Sequence, residues 1–136
     1  RNCDSATFPR ELTIAAGGVE TYKSQYIDAI RDILKDSKYA TLRIAVIIEP
    51  NSIVNLVTDV GRDAPMCDEA ASSGAYAKCI QHAINQLHPL PNAYLYADIG
   101  RSGRLGWTLA SSPSSAVSIY YDILSHADAG VYGIDG

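Results

Sequence analysis

Leu42-Arg43-Ile44-Ala45-Val46-Ile47-Ile48 runs into Glu49-Pro50-Asn51-Ser52, and this stretch decides the fold. The first seven residues are too few and too β-branched for a helix. They are apolar on both alternating faces, the pattern of a parallel strand covered on both sides. Pro50 ends the strand, and residues 52–58 read as a short helix. Upstream, Gly17-Gly18 opens an amphipathic helix with Val19, Tyr22, Tyr26, Ile27, Ile30, Ile33 and Leu34 on one face. Its back carries Glu20, Lys23, Asp28, Arg31 and Lys35. Downstream, residues 61–73 read as a loop, and a second long helix runs from about Gly74 to Leu87, closed by the Pro89–Pro91 turn. Residues 93–98 give another strand and residues 100–106 a glycine-punctuated loop. Ser112-Pro113 caps a third helix with Ala116, Ile119, Tyr120, Ile123 and Leu124 inward, and residues 130–134 form a third short strand.

Strands separated by helices require right-handed crossovers and parallel pairing. The expected architecture is therefore α/β: about three parallel strands with flanking helices, a segment of a parallel β/α barrel or of a doubly wound sheet. Neither an internal repeat nor a linker breaks the pattern, so residues 1–136 are expected to form a single domain. Three parallel strands leave open edges and faces. The chain is accordingly expected to self-associate, to pair with a companion chain, or to be a fragment.

Apolar residues make up 47% of the 136 and charged residues 19%, with a net charge of −4. That balance fits a globular core, and the lack of a basic run argues against a nucleic-acid partner. No apolar stretch is long enough to cross a bilayer. The chain starts at Arg1, which suggests a removed leader or a piece of a longer protein. Cys3, Cys67 and Cys79 have neither zinc-knuckle nor CxxC spacing. A Cys3–Cys67 bridge would close a long loop and contribute roughly 4 kcal/mol, and would imply a secreted origin. Three reduced thiols in a cytosolic protein is the alternative. Cys79 falls in an apolar helical pattern with Tyr76, Ile80 and Ala83 and reads as a buried free thiol.

Ligands of parallel α/β folds bind at the carboxyl ends of the strands. Glu49, Asn51 and Ser52 follow the first strand, Asp98 ends the second, and Asp135 follows the third. The plain alternative is that these residues are caps and turn formers. The local strings favour a site. Ile48-Glu49-Pro50-Asn51-Ser52, Asn55-Leu56-Val57-Thr58, Tyr96-Ala97-Asp98-Ile99-Gly100 and Leu105-Gly106-Trp107 together resemble family 6 glycoside hydrolases, the cellobiohydrolases and endoglucanases of cellulose. Arg1-Asn2-Cys3, Gly17-Gly18-Val19, Tyr22-Lys23, Tyr76, Cys79-Ile80 and Leu90-Pro91-Asn92 extend the likeness over nearly the whole chain. It covers only part of that catalytic domain. The resemblance implies an incomplete version of the family's distorted parallel barrel, a secreted protein, and Cys3 and Cys67 at the positions of a family disulfide.

Inverting glycosidases need a protonated carboxyl for the leaving oxygen and a carboxylate route to activate water. By resemblance, the general acid falls at Asn51, and the Asp that supports it falls at Asn2. An amide keeps the shape but neither gives nor takes a proton near neutral pH, and loss of general acid catalysis forfeits ~10²–10⁴ in rate. Asp98 matches a retained family Asp near the substrate, and Glu49 reads as a structural hydrogen-bonding group behind the site. Of two tryptophans that stack on glucose rings in the family, one is Arg104 and the other remains Trp107, while a family His is Arg101. Phe8-Pro9-Arg10 replaces the family's Ser-Asn-Gly loop.

The resulting expectation is a secreted, catalytically inactive cellulase-like protein that binds a β-glucan through Trp107, Asp98, Arg104, Arg101 and Ser52, or that self-assembles. A fragment or subunit of an active β-1,4-glucan hydrolase is the alternative. No cofactor or metal is expected, because His82, His88 and His126 lack ligand spacing. Gly100, Gly103 and Gly106 do not make a nucleotide loop. Arg101 and Arg104 beside Trp107 suit an anionic glycan, against the simpler reading of a solvated charged loop.

Overall fold

The computed structural model describes residues 12–100 and the backbone of 112–128, with side chains from Ala116 onward. After a short 3-10 turn (Ile14–Ala16) comes one long helical stretch: α1 (Gly18–Thr21), a π-helical segment (Tyr22–Ile27) and α2 (Asp28–Leu34). Strand β1 (Ile44–Ile48) follows, then α3 (Ser52–Thr58), α4 (Pro65–Ser73), α5 (Ala75–Leu87), strand β2 (Ala93–Ala97) and α6 (Ser112–Ser125).

β1 and β2 pair in parallel, with Ile44 opposite Ala93 and Ile48 opposite Ala97. The crossover between them runs through α3, α4 and α5, the long connection that parallel pairing demands. Buried Asn92 sets the start of the ladder. Its carbonyl accepts from the Ile44 amide at 2.8 Å, and its Nδ2 donates to the Tyr39 carbonyl at 3.1 Å. The expected third strand, residues 130–134, and the expected loop beyond Gly100 lie outside the described residues.

The core gathers on one face of the sheet. α5 contributes Ile80, Ala83, Ile84 and Leu87, a stripe at helical spacing, toward Leu95 and Ile48 of the strands. Ile53 and Val54 of α3 and Ala116, Tyr120 and Ile123 of α6 complete the cluster. The opposite face differs from expectation. β1 is not covered on both sides: Ile47 is 62% exposed, and Ala45, Tyr94 and Tyr96 are exposed beside it. Among the described residues, this is the more exposed face of the two strands.

Two further expectations are corrected. Residues 65–73 form a helix, not a loop. Pro65 takes the first helical position, where its missing N–H costs nothing, and Gly74 at φ 63° closes the helix. In the first helix, Tyr26 and Ile33 are 51% and 57% exposed rather than inward. The π-helical turn holds more residues than an α-turn, as in the Asp28 N–H to Lys23 carbonyl bond, so the apolar stripe expected from 3.6-residue periodicity is rotated there. Tyr22 and Ile27 take the buried positions, and Asp28, expected on the solvent side, meets His82 Nε2 of α5 at 2.9 Å. Arg31 extends this polar seam by pairing with Asp28 at 3.4 Å and with Gln86.

Candidate functional site

The carboxyl ends of β1 and β2 lie side by side, because the two strands are parallel and in register. After Ile48 the chain bends through Glu49 (φ 42°) and Asn51 (φ 66°), both left-handed. Asn tolerates that conformation better than most residues; Glu does so at a cost of roughly 1–2 kcal/mol. Surrounding contacts hold the bend. The Ser52 amide donates to the Glu49 carbonyl at 3.1 Å, and Tyr22 Oη donates to Glu49 Oε1 at 2.7 Å.

Asp98 fastens the two strand ends together. Its Oδ2 accepts from the Asn51 amide at 2.6 Å, and its Oδ1 accepts from the Gly100 amide at 3.1 Å. Its carbonyl accepts from Tyr120 Oη of α6 at 3.0 Å. A carboxylate that receives two main-chain N–H groups is oriented by both, each a charge-assisted bond. The structure thus brings Asn51, Ser52, Asp98 and Glu49 into one cluster. Asn51 is exposed, whereas Ser52 is buried with its Oγ lacking a hydrogen-bond partner among the described residues. Asn2, Cys3, Arg101, Arg104, Trp107 and Asp135 lie outside the described residues. Cys67, on α4, is buried at 2% exposure.

The two tyrosine hydroxyls that orient the cluster were not singled out from the sequence, which placed Tyr22 and Tyr120 only as inward-facing rings. A buried tyrosine hydroxyl requires a partner, and that requirement was the available signal. Burial, and next the neighbouring Glu49 carboxylate, push the Tyr22 phenol well above its ordinary range; burial and Asp98 do the same for Tyr120. Behind Glu49 and Ser52 a cavity of about 270 Å³ is bounded by Tyr22, Tyr26, Tyr76 and Cys79. Cys79 is a free thiol, and burial raises its pKa from 9.0 to about 11. Among the described residues no three His, Cys, Asp or Glu side chains gather as a metal site. None of the described helices is long and apolar enough to cross a membrane.

These shifts fix the sign of an alkaline effect. Each group is held neutral by the fold at a pH where the unfolded chain would lose its proton, so stability is full below pH 9 and falls above it. Cys79 contributes the loss between pH 9 and about 11, and Tyr22 and Tyr120 begin theirs at pH 10. Urea unfolding at pH 8 and pH 10.5 is expected to show a lower midpoint at the higher value. A Cys79→Ala, Tyr22→Phe double variant should lose much of that slope; an unchanged slope would discount these groups.

A parallel α/β sheet with a polar cluster at its carboxyl edge defines the class, and sequence comparison specifies it. Residues 1–135 match the family described as Glycosyl hydrolases family 6. The chain belongs to glycosyl hydrolase family 6. It is 38% identical over its whole length to Exoglucanase A of Cellulomonas fimi, of which it covers 15%. It is 40% identical over 129 residues to Exoglucanase 2 of Hypocrea jecorina, covering 25% of that protein. Among solved structures, the catalytic domain of Cellulomonas fimi Cel6B superposes on the whole chain with a TM-score of 0.88 at 38% identity. The CcCel6A catalytic domain, complexed with p-nitrophenyl beta-D-cellotrioside, superposes on 97% of it with a TM-score of 0.80 at 31% identity. The chain spans 29% and 34% of those two structures. It therefore spans only a minor part of the relatives it matches.

Proposed function

We propose that this chain is one portion of a secreted β-1,4-glucan hydrolase domain, an incomplete version of the family's barrel that supplies one wall of the glucan cleft. The match over residues 1–135 carries the reading. It is supported by likeness to two exoglucanases and to a catalytic domain complexed with a cellotrioside derivative. In this reading the cluster around Asp98 lies at the cleft, and Trp107, Arg101 and Arg104 contact sugar; the Ser52 hydroxyl, expected to do so, is buried. A Cys3–Cys67 bridge ties the first residues to α4; its support is that Cys79 is the free cysteine among the described residues and Cys67 is not.

A specific observation favours a second reading, a glucan binder without turnover. Asn51 and Asn2 stand where the family resemblance puts a general acid and its supporting carboxylate. An amide has no proton to give a leaving alkoxide. The exposed, backbone-tethered Asn51 has the shape of the acid without its chemistry.

Affinity electrophoresis through soluble β-1,4-linked glucan, together with an assay for released reducing ends, separates the readings. Both predict retardation by the glucan. Turnover by the protein that follows a single titrating group supports the hydrolase, and retardation without turnover supports the binder. Neither retardation nor turnover overturns both. Asn51→Asp in the 136-residue chain is expected to release no sugar, because Asn2 and Arg104 remain. Clear turnover by this variant would show that a single carboxyl suffices.

A further inference from the structure

The cavity behind the bend carries polar groups that its own walls leave unmatched. Glu49, Ser52 and Asn55 line it at a spacing of three residues, from the bend into the first turn of α3. That spacing keeps side chains on one side of the chain as it enters a helix. Ser52 and Asn55 are 8% and 5% exposed, and Ser52 Oγ has no hydrogen-bond partner among the described residues. A hydroxyl held out of water without a partner costs about 1–3 kcal/mol. Glu49 accepts from Tyr22 Oη through Oε1 at 2.7 Å, which leaves Oε2 free to accept among the described residues. Tyr22, Tyr26 and Tyr76 provide aromatic wall, and the Cys79 thiol borders the same space.

We infer that this cavity binds a small neutral phenol, whose hydroxyl donates to Glu49 Oε2 and accepts from Ser52 Oγ. The site goes beyond the proposed function and does not depend on it. Tyr22 displays the bond in question, a phenol hydroxyl donating to the same carboxylate. Size agrees: an apolar cavity of about 150 Å³ takes a benzene ring, so about 270 Å³ holds one substituted ring. Charge selects a neutral molecule. Glu49 repels an anion, while an ammonium only donates and would leave the Ser52 proton unmatched. The N-terminus of α5, a helix of 13 residues, also borders the cavity at Ala75 and disfavours a cation. An aliphatic alcohol would make the hydrogen bonds but would forgo the contact with the tyrosine rings.

The test titrates the chain at neutral pH with phenol, with its methyl ether anisole, with benzylamine and with benzoate. Phenol is expected to bind at least about tenfold more tightly than anisole, which has no proton for Glu49. It should likewise exceed both ions. Ser52→Ala should weaken phenol about fivefold and leave anisole unchanged, with circular dichroism confirming that the variant is folded. Location is read separately, from labelling of Cys79 by methyl methanethiosulfonate, followed by peptide mass. Saturating phenol should slow that labelling, because the thiol lines the same cavity. Equal affinity for phenol and anisole overturns the inference, as does a folded chain that binds neither. A preference for benzylamine overturns it in favour of a cation site. Phenol that binds while Cys79 labels at its free rate overturns the placement in this cavity. No arm of the test reads glucan, so its failure leaves the proposed function standing, and failure of glucan retardation leaves this inference standing.

Discussion

Leu95→Ala is expected to destabilise the chain by about 2–5 kcal/mol, the range for emptying a fully buried leucine site. Leu95 has no exposed surface and sits at the centre of β2, opposite Val46 in the ladder. It belongs to the cluster that includes Ile80, Ile84 and Leu87 of α5. The loss combines the transfer of the leucine side chain with a cavity that the paired strands and the packed helix do not close. Small domains are stable by only about 5–15 kcal/mol, so this one change removes a large share. Urea titration followed by far-ultraviolet circular dichroism measures it. Ile47→Ala, on the neighbouring strand and 62% exposed, is the control and should cost less than about 1 kcal/mol. Equal losses from the two would mean that the core does not lie on the helical side of the sheet.

Gly100→Ala is expected to cost about 3 kcal/mol and, on the proposed function, to weaken glucan binding with it. Gly100 has a φ of 86°, where a side chain adds roughly 1–2 kcal/mol of backbone strain. A Cβ there would also overlap the Cγ2 methyl of Val54 and lie 3.3 Å from its Cβ. Val54 is 1% exposed and β-branched, so it has few rotamers with which to retreat, and overpacking adds about 1–3 kcal/mol. The displaced amide of residue 100 is one of the two that orient Asp98. Thermal unfolding and retardation by β-glucan therefore should fall together. A variant with unchanged melting temperature would show that the turn after β2 is not built as described.

The strands and the helices with plain periodicity were legible. Residues 44–48 and 93–97 fall within the expected runs, and residues 52–58 match the expected helix. The expected burial of Tyr120 beside exposed Tyr121 also holds, because neighbouring helical positions diverge by about 100°. Residues 65–73 were harder to read. Their Asp, Glu and Ser residues mask a helix whose start and stop are marked chiefly by Pro65 and Gly74. The π-helical turn at residues 22–27, which buries Tyr22 and Ile27, leaves no mark in the residue pattern. At the site, the polar residues were legible as types, but their connections were not. That the Asp98 carboxylate reaches the amide of residue 51 depends on strand register and two left-handed residues, neither of which is written in the local string.

The contact between Asp98 and position 51 passes through the main chain, so the side chain of residue 51 is constrained by its left-handed backbone, φ 66°, and not by Asp98. Asn and Asp are the side chains that best tolerate this conformation, so exchange between amide and carboxylate at residue 51 leaves both the bend and its tie to Asp98 in place, with the ionisable group as the one thing altered.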